Sequence, residues 1–533
     1  MLRADLYEPT DPDTGERLDG PFPVIVGFTP YGKSGAAQAD VPGANGVNLS
    51  LVRHGYIAAA VDIPGTGASD GAFDLFDPAE AVAGAGVVDW AAQLPRSSGS
   101  VGMLGLSYLA IVQLFTAAEV GPDSPLRAIF PMSATVDPYR DLFVSGGAIN
   151  LLSPAGLLFG YGVTRTITPF TEHHDDLPEA LRRASAHLEQ MSNFEAVIAA
   201  DIASNGERRY DGEWWEMRRP ERILQRIADN GVAVYLTGGL YDVFQRGTPR
   251  IYSGLQNAAA GRPVEAPMVK GQPVTDRFQF LTGPWTHGGL GAGIDMTQLQ
   301  LEWFDRWLKD APPAEPLAGG APMQVIEPDG TSYRARNYPL ESATTQQLWL
   351  HGDTTLSTSA PTGAEPGVDL DYVPIGPMCT ASTVQFAAGL WAKECLRPMT
   401  RARRTLNEVT YTTDPLEQDL QLSGPMSLGV NMSSNRAETL LSVTVEDVAR
   451  NGRSMHLSGG AVQGSLRTID EDRSWRDHDG NLLVPWSPLT EGLVGACSHR
   501  CPGALRHRDQ TRLRDRVGGH RLRIRISTAD FPT

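Results

Sequence analysis

The sequence predicts an α/β chain: a parallel β-sheet covered by helices on both faces, interrupted by a helical insertion and followed by a β-sandwich. Three observations carry this. Short, continuous apolar runs alternate with helix-compatible segments over the first third and again near residue 280. Between those halves the pattern turns helical or irregular. After a Pro/Gly-rich stretch it becomes a series of short strand signals punctuated by turn residues. Apolar runs without polar alternation mark strands buried on both faces, which is the signature of a parallel sheet.

In chain order, PFPVIVGF at 21–28, YIAAAVDI at 56–63 and VGMLGLS at 101–107 are the first such runs, with the helix-compatible AVAGAGVVDWAAQL between the last two. GVAVYLTGG at 231–239 and RFQFLTG at 277–283 continue the set. The helix TQLQLEWFDRWLKD follows, with Leu301, Phe304 and Leu308 on one face at i, i+3 and i+7. The stretch 136–225, with SPAGLLFGYGVT, LPEALRRASAHLEQM and PERILQRIADN, reads as a helical insertion able to form a lid over the sheet. From APPAEPLAGGAPM onward, candidates such as QQLWLHG, VTYTTDPL, ETLLSVTVEDV and HRLRIRIS suggest a β-sandwich. The expected boundaries are 1–135 and 226–312 for the two parts of the core, 136–225 for the insertion and 313–533 for the sandwich.

The 533 residues suit two or three domains, and 41% hydrophobic content suffices for a sizeable core. The net charge of −17 argues against a nucleic-acid partner, whose phosphates require a basic surface. No run of about 18 apolar residues occurs, so no membrane span is expected. The N-terminus, MLRADLYEPTDPD, has no apolar signal core, which favours the cytoplasm; MLRADLY also reads like a strand entered midway, suggesting a start further upstream. The four cysteines are few for the length and imply no disulfide framework. Cys497 and Cys501 flank His499 in CSHRC, but no second ligand pair accompanies them, so no metal is expected.

The chemistry centres on GLSYLA at 105–110. A serine hydroxyl becomes a nucleophile when a base takes its proton, a third group orients the base, and donors await the oxyanion. Ser107 lies between the strand VGMLGL and the helix YLAIVQLFTAAE, as a nucleophile on a strand-to-helix elbow does. The alternative is a plain helix N-cap. Downstream, Asp242 in GGLYDVFQRGT and His287 in GPWTHGG each follow a strand in a glycine-flanked loop. Singly, such an aspartate is a turn former and such a histidine a surface residue. Together they give the chain order Ser, Asp, His of an α/β-hydrolase, at the strand ends where that fold gathers its catalytic groups.

With TPYGK at 29–33, DIPGTGASDG at 62–71, GLSYLA, GGLYDVFQRGT, GPWTHGG, FDRWLKD, YTTDPL and GHRLRIRIS, nearly the whole chain resembles the cocaine-esterase and X-prolyl dipeptidyl peptidase family of serine hydrolases. The resemblance implies an α/β-hydrolase core with an inserted helical cap and a C-terminal jelly-roll β-sandwich. It implies Ser107 as nucleophile, His287 as general base and acid, and Asp242 as its orienter. It also implies an oxyanion hole made by the Tyr31 hydroxyl and the backbone N–H of Tyr108. From the residues alone Tyr31 reads only as a turn tyrosine. In this family the elbow is G-x-S-Y-x-G, so Ala110 in place of the last glycine is a departure. So is Asp62-Ile63-Pro64-Gly65 where relatives often carry D-x-R-G. The Arg-rich stretch ACSHRCPGALRHRDQTRLRDRVGG departs too, reading as a solvated basic loop, a basic patch or an altered reading frame. The chain stops at FPT where relatives continue, so an exposed sheet edge and a tendency to associate are expected.

The expected substrate is a small-molecule ester or amide, with no cofactor and no metal, bound between core and cap. Phe244 and Tyr108 are candidate lining groups. Trp214 and Trp215 either line the pocket or pack in the cap core. An aromatic pocket favours an esterase. An X-Pro dipeptidyl peptidase or amino-acid ester hydrolase needs acidic groups for a substrate ammonium, for which Asp211 and Glu213 are candidates. Jelly-rolls also serve as binding modules, so a non-catalytic binding protein with a degenerate hydrolase domain is the alternative of another class. The oligomeric state is not specified.

Overall fold

The computed structural model describes residues 1–150, 156, 160–162, 164–313, 320–372, 395, 408–477, 479–493, 501–506, 511–512 and 519–529. Nine strands form the central sheet: β1 (Ala4–Tyr7), β2 (Phe22–Thr29), β3 (Ile57–Asp62), β4 (Ser97–Leu106), β5 (Leu126–Met132), β6 (Ala233–Gly239), β7 (Phe278–Gly283), β8 (Met323–Ile326) and β9 (Ser332–Ala335). Their order is 1-3-2-4-5-6-7-8-9. β1 and β9 are the antiparallel edges, and β2 to β8 run parallel.

Alternation along these strands feeds two cores. Val24, Val26, Phe28 and Met103 face one side, against helices α1 (Pro78–Ala92), α2 (Tyr108–Glu119) and α4 (Gly247–Ala259), counting α3 (Thr164–Glu172) within the insertion. Ile25, Leu104, Phe130 and Tyr235 face the other, against Leu301, Trp303, Phe304 and Leu308 of α5 (Met296–Leu308). With both faces covered, the central stretches of β2 to β7 are buried and largely apolar, the pattern expected from the sequence.

The sheet takes in β8 and β9, beyond the boundary expected at 313. The insertion between β5 and β6 is helical: α3, then Leu177–Asn193 and Glu195–Ala203. It is tied to the core by Lys33 to Glu172, by Arg183 to Asp70, and by Arg218 to Asp74 and Asp77.

The C-terminal part is antiparallel. Its four-stranded sheet contains Glu408–Thr412, Arg521–Ser527, Leu440–Val448 and Ser454–Gln463. Part of the Arg-rich stretch is strand rather than loop: Cys501–Arg506 pairs with Ser427–Met432, and Thr511–Arg512 with Gln421–Leu422. Cys497 and His499 lie outside the described residues. Cys395 is disulfide-bonded, a link that the low cysteine count did not lead us to expect.

A buried ionic cluster joins the parts. Arg140 meets Asp137 at 2.8 Å and Asp211 at 2.5 Å, donates to the Ser487 and Pro488 carbonyls at 2.9 and 3.0 Å, and lies over the Trp486 ring. Glu221 pairs with both Arg250 and Arg473. Among the described residues, no helix is long and apolar enough to cross a membrane.

Candidate active site

Ser107 sits between β4 and α2 with φ 62° and ψ −117°. A non-glycine residue held there costs about 1–3 kcal/mol and persists because its surroundings over-determine it. The strand ladder does so from one side: Leu106 N–H donates to the Ala44 carbonyl at 2.8 Å, and Ser107 N–H to the Met132 carbonyl at 2.9 Å. From the other side, a Cβ on Gly105 would come within 2.4 Å of the Leu109 Cβ, so only glycine fits. Ala110, the last residue of the elbow motif, is fully buried. The Ser107 hydroxyl does not cap α2. The N-cap alternative for this serine therefore fails.

Tyr31 approaches the same point. Its phenol lies near enough to the Ser107 hydroxyl and the backbone N–H of Tyr108 for both to favour its ionised form. Burial pushes its pKa up, and the nearby Tyr161 and Ser107 hydroxyls and the Tyr108 N–H only partly offset that, so Tyr31 stays a neutral hydroxyl. Tyr161 of the insertion stacks on it, with ring centroids 5.7 Å apart and hydroxyls 3.5 Å apart.

The loops after β6 and β7 are laced together. Leu240 N–H donates to the Gly283 carbonyl at 2.8 Å, and Tyr241 N–H to the Trp285 carbonyl at 3.0 Å. Asp242, 1% exposed, accepts the Phe244 N–H on Oδ1 at 2.7 Å. Its Oδ2 lies 2.9 Å from His287 Nδ1. The ring of Phe244 packs edge-on against His287, with centroids 5.7 Å apart. Burial presses the His287 pKa down, but the charge and hydrogen bond of Asp242 outweigh it and the net shift is upward. This arrangement keeps Nδ1 protonated and leaves Nε2 as the basic nitrogen. Ser133, the residue after Met132, places its hydroxyl 3.2 Å from His287 Nδ1. The Met132–Ser133 segment thus contacts both Ser107 and His287.

Tyr108 points its side chain away from the elbow. The phenol donates to the Glu80 carboxylate at 2.7 and 2.9 Å and accepts the Phe76 N–H at 3.1 Å. Burial holds Glu80 well above the usual carboxylate range, despite the Tyr108 bond. The rings of Phe73, Phe76, Tyr108 and Tyr161 pack on one another at centroid distances from 4.3 to 5.9 Å, an aromatic cluster that the stacking of Tyr161 joins to Tyr31. Trp215 is buried against Tyr139 and Phe143 and donates Nε1–H to the Arg208 carbonyl at 2.8 Å. Trp214 is flanked by the Arg208 and Arg218 guanidinia. These are packing contacts, in line with the cap-core alternative. Asp211 is paired with both Arg140 and Arg219, and Glu213 is exposed. Sequence reasoning missed Ser133, Tyr161 and Glu80. For Ser133, its position directly after an apolar strand was the available signal.

The fold is that of an α/β-hydrolase with a helical insertion and a C-terminal β domain, and the family it matches is one of serine hydrolases. The family model described as X-Pro dipeptidyl-peptidase (S15 family) matches residues 1–289, and that for the X-Pro dipeptidyl-peptidase C-terminal non-catalytic domain matches 323–493. The chain belongs to the S15 family. It is similar to the cocaine esterase of Rhodococcus sp. (strain MB1 Bresler), 26% identical over 512 residues, covering 87% of this chain and 81% of that one. In fold it is similar to a CocE/NonD family hydrolase from Staphylococcus aureus, with a TM-score of 0.68 and 17% identity over 100% of this chain and 84% of that one. An aminopeptidase from the marine sediment archaeon Thaumarchaeota archaeon gives a TM-score of 0.71 and 18% identity, over 100% of this chain and 87% of that one.

Proposed function

We propose that the protein is a serine esterase that cleaves carboxylic esters of small acyl substrates, with amides as secondary substrates, through an acyl-enzyme. Ser107 Oγ attacks the carbonyl carbon while His287 Nε2 takes its proton. Asp242 holds the imidazole by Nδ1 and stabilises the imidazolium that forms. The Tyr31 hydroxyl and the Tyr108 N–H donate to the tetrahedral oxyanion. His287 then gives its proton to the leaving alkoxide. Water, deprotonated by the same histidine, attacks the acyl-enzyme, and collapse of the second tetrahedral species releases the acid and restores Ser107. The observation that carries this reading is the pairing of His287 Nδ1 with the buried Asp242 carboxylate at 2.9 Å, beside a Ser107 held at φ 62° on the strand-to-helix elbow.

The aromatic cluster supports apolar or aromatic acyl groups. Against a substrate ammonium stands the neutralisation of Asp211 by Arg140 and Arg219, which removes one acidic candidate; the exposure of Glu213 counts against the other. The family match favours cleavage after X-Pro as the second reading. Both readings share the nucleophile, so Ser107→Ala is expected to abolish turnover of p-nitrophenyl esters without changing the thermal unfolding midpoint. Undiminished hydrolysis in that variant would sink the assignment. Parallel assays on p-nitrophenyl esters and X-Pro p-nitroanilides separate the two, and the esterase reading expects the higher kcat/KM on the esters.

A further inference from the structure

The turn that departs from the D-x-R-G pattern has a second role. Asp62 ends β3, directly opposite Thr29 in the parallel register with β2 and two residues before Tyr31. Its side chain is fully buried. One carboxylate oxygen accepts the Lys33 N–H at 2.8 Å, and the other accepts the Ala68 N–H at 2.9 Å. The turn at 62–69 closes around it: Ser69 Oγ donates to the Asp62 carbonyl at 2.8 Å, and a Cβ on Gly67 would come within 2.2 Å of the carboxylate. Tyr31 is thereby held on both sides. Its own N–H donates to Thr29 Oγ1 at 3.0 Å, and beyond Gly32, with φ 95°, the chain is pinned by the Lys33 N–H to Asp62.

We infer that Asp62 is a positioning residue for the Tyr31 hydroxyl, fixing the Tyr31–Gly32–Lys33 loop so that the phenol points at the oxyanion. This inference rests on the proposed role of Tyr31. The carboxylate suits the task because it accepts at both oxygens, whereas an amide presents one acceptor and one NH2 donor. In Asp62→Asn, that NH2 faces either the Lys33 or the Ala68 N–H, and one anchor is lost. A displaced donor weakens transition-state binding while leaving ground-state binding nearly intact.

The test is a double-variant cycle on p-nitrophenyl butyrate with Asp62→Asn, Tyr31→Phe and both together. Asp62→Asn is expected to lower kcat by about 10- to 100-fold, bounded by the loss of the donor itself, with KM within about twofold. The double variant is expected to match Tyr31→Phe within about twofold, since a loop without its hydroxyl has nothing left to position. Multiplicative losses, or wild-type kcat in Asp62→Asn, overturn the inference. No loss in Tyr31→Phe refutes the oxyanion role itself, which separates the two failures.

A second arm needs no Asp62 variant. Burial, only partly offset by the Ala68 and Lys33 N–H bonds, pushes Asp62 up to about 7. The charged groups nearby are Lys33, Glu172 at the end of α3, Asp5 on β1 paired with Lys33, and Arg183, which donates to the Ala68 carbonyl. Protonation of Asp62 removes an acceptor. The acid limb of kcat is therefore expected to show two ionisations in the unsubstituted enzyme, those of His287 and Asp62, and one in Tyr31→Phe. Equal steepness in both proteins overturns the inference.

Discussion

Replacing Asp242 by Asn keeps the shape of the site and removes its charge. The carboxylate is 1% exposed, with Oδ1 committed to the Phe244 N–H and Oδ2 to His287 Nδ1. An Asn with its oxygen toward Phe244 turns its NH2 to Nδ1, which selects the wrong imidazole tautomer. The reverse rotamer sets two donors against each other. The lost charge also matters: at a separation of about 4 Å and an effective dielectric of about 20, a carboxylate stabilises an imidazolium by about 4 kcal/mol. At about 1.4 kcal/mol per decade, that is about 10³ in kcat. Tautomer selection brings the total toward about 10⁴, the loss for the same change in the best-studied triad. The assay is kcat and kcat/KM on p-nitrophenyl butyrate as a function of pH. His287 acts as a base when neutral, so activity falls as the pH drops through its pKa. Asp242 raises that pKa against the effect of burial, so Asp242→Asn moves the acid limb to lower pH while lowering the plateau. A variant within about tenfold of the parent, with an unmoved acid limb, refutes the reasoning.

Two further outcomes follow from the same geometry. Tyr31→Phe deletes one oxyanion donor and is expected to lower kcat on the order of 10²-fold on the same ester; an unchanged rate removes Tyr31 from the site. Arg140→Met leaves Asp137 and Asp211 facing each other with one partner fewer. Breaking a buried pair this way destabilises by about 3–5 kcal/mol, read as a lower midpoint in chemical denaturation. A midpoint equal to the parent's would show that Arg219 alone neutralises both.

The sheet was legible because the central stretches of β2 to β7 are buried on both faces and therefore largely apolar. Ser107, Asp242 and His287 stood out as candidates because each follows such a strand by one to four residues. Tyr31 was not: a tyrosine in a turn carries no local mark of function, and only the resemblance pointed to it. Ser133, Tyr161 and Asp62 make their contacts near the candidate site with residues 154, 130 and 29 positions away in sequence, which no local pattern encodes. β8 and β9 are four residues each and follow a Pro/Gly-rich stretch, so they read as part of the β-rich half rather than as an edge hairpin of the core. Trp214 and Trp215 show the opposite difficulty: adjacent tryptophans look like a binding surface, yet their contacts are Tyr139, Phe143 and two guanidinia.

The central claim is that Ser107 is an activated nucleophile. Incubating the intact protein with a fluorophosphonate and mapping the adduct by peptide mass spectrometry tests it directly. One equivalent of phosphonate on Ser107, with ester hydrolysis lost in proportion, is the predicted result. An unlabelled protein that remains folded, or a label on another residue with Ser107 free, would contradict the account.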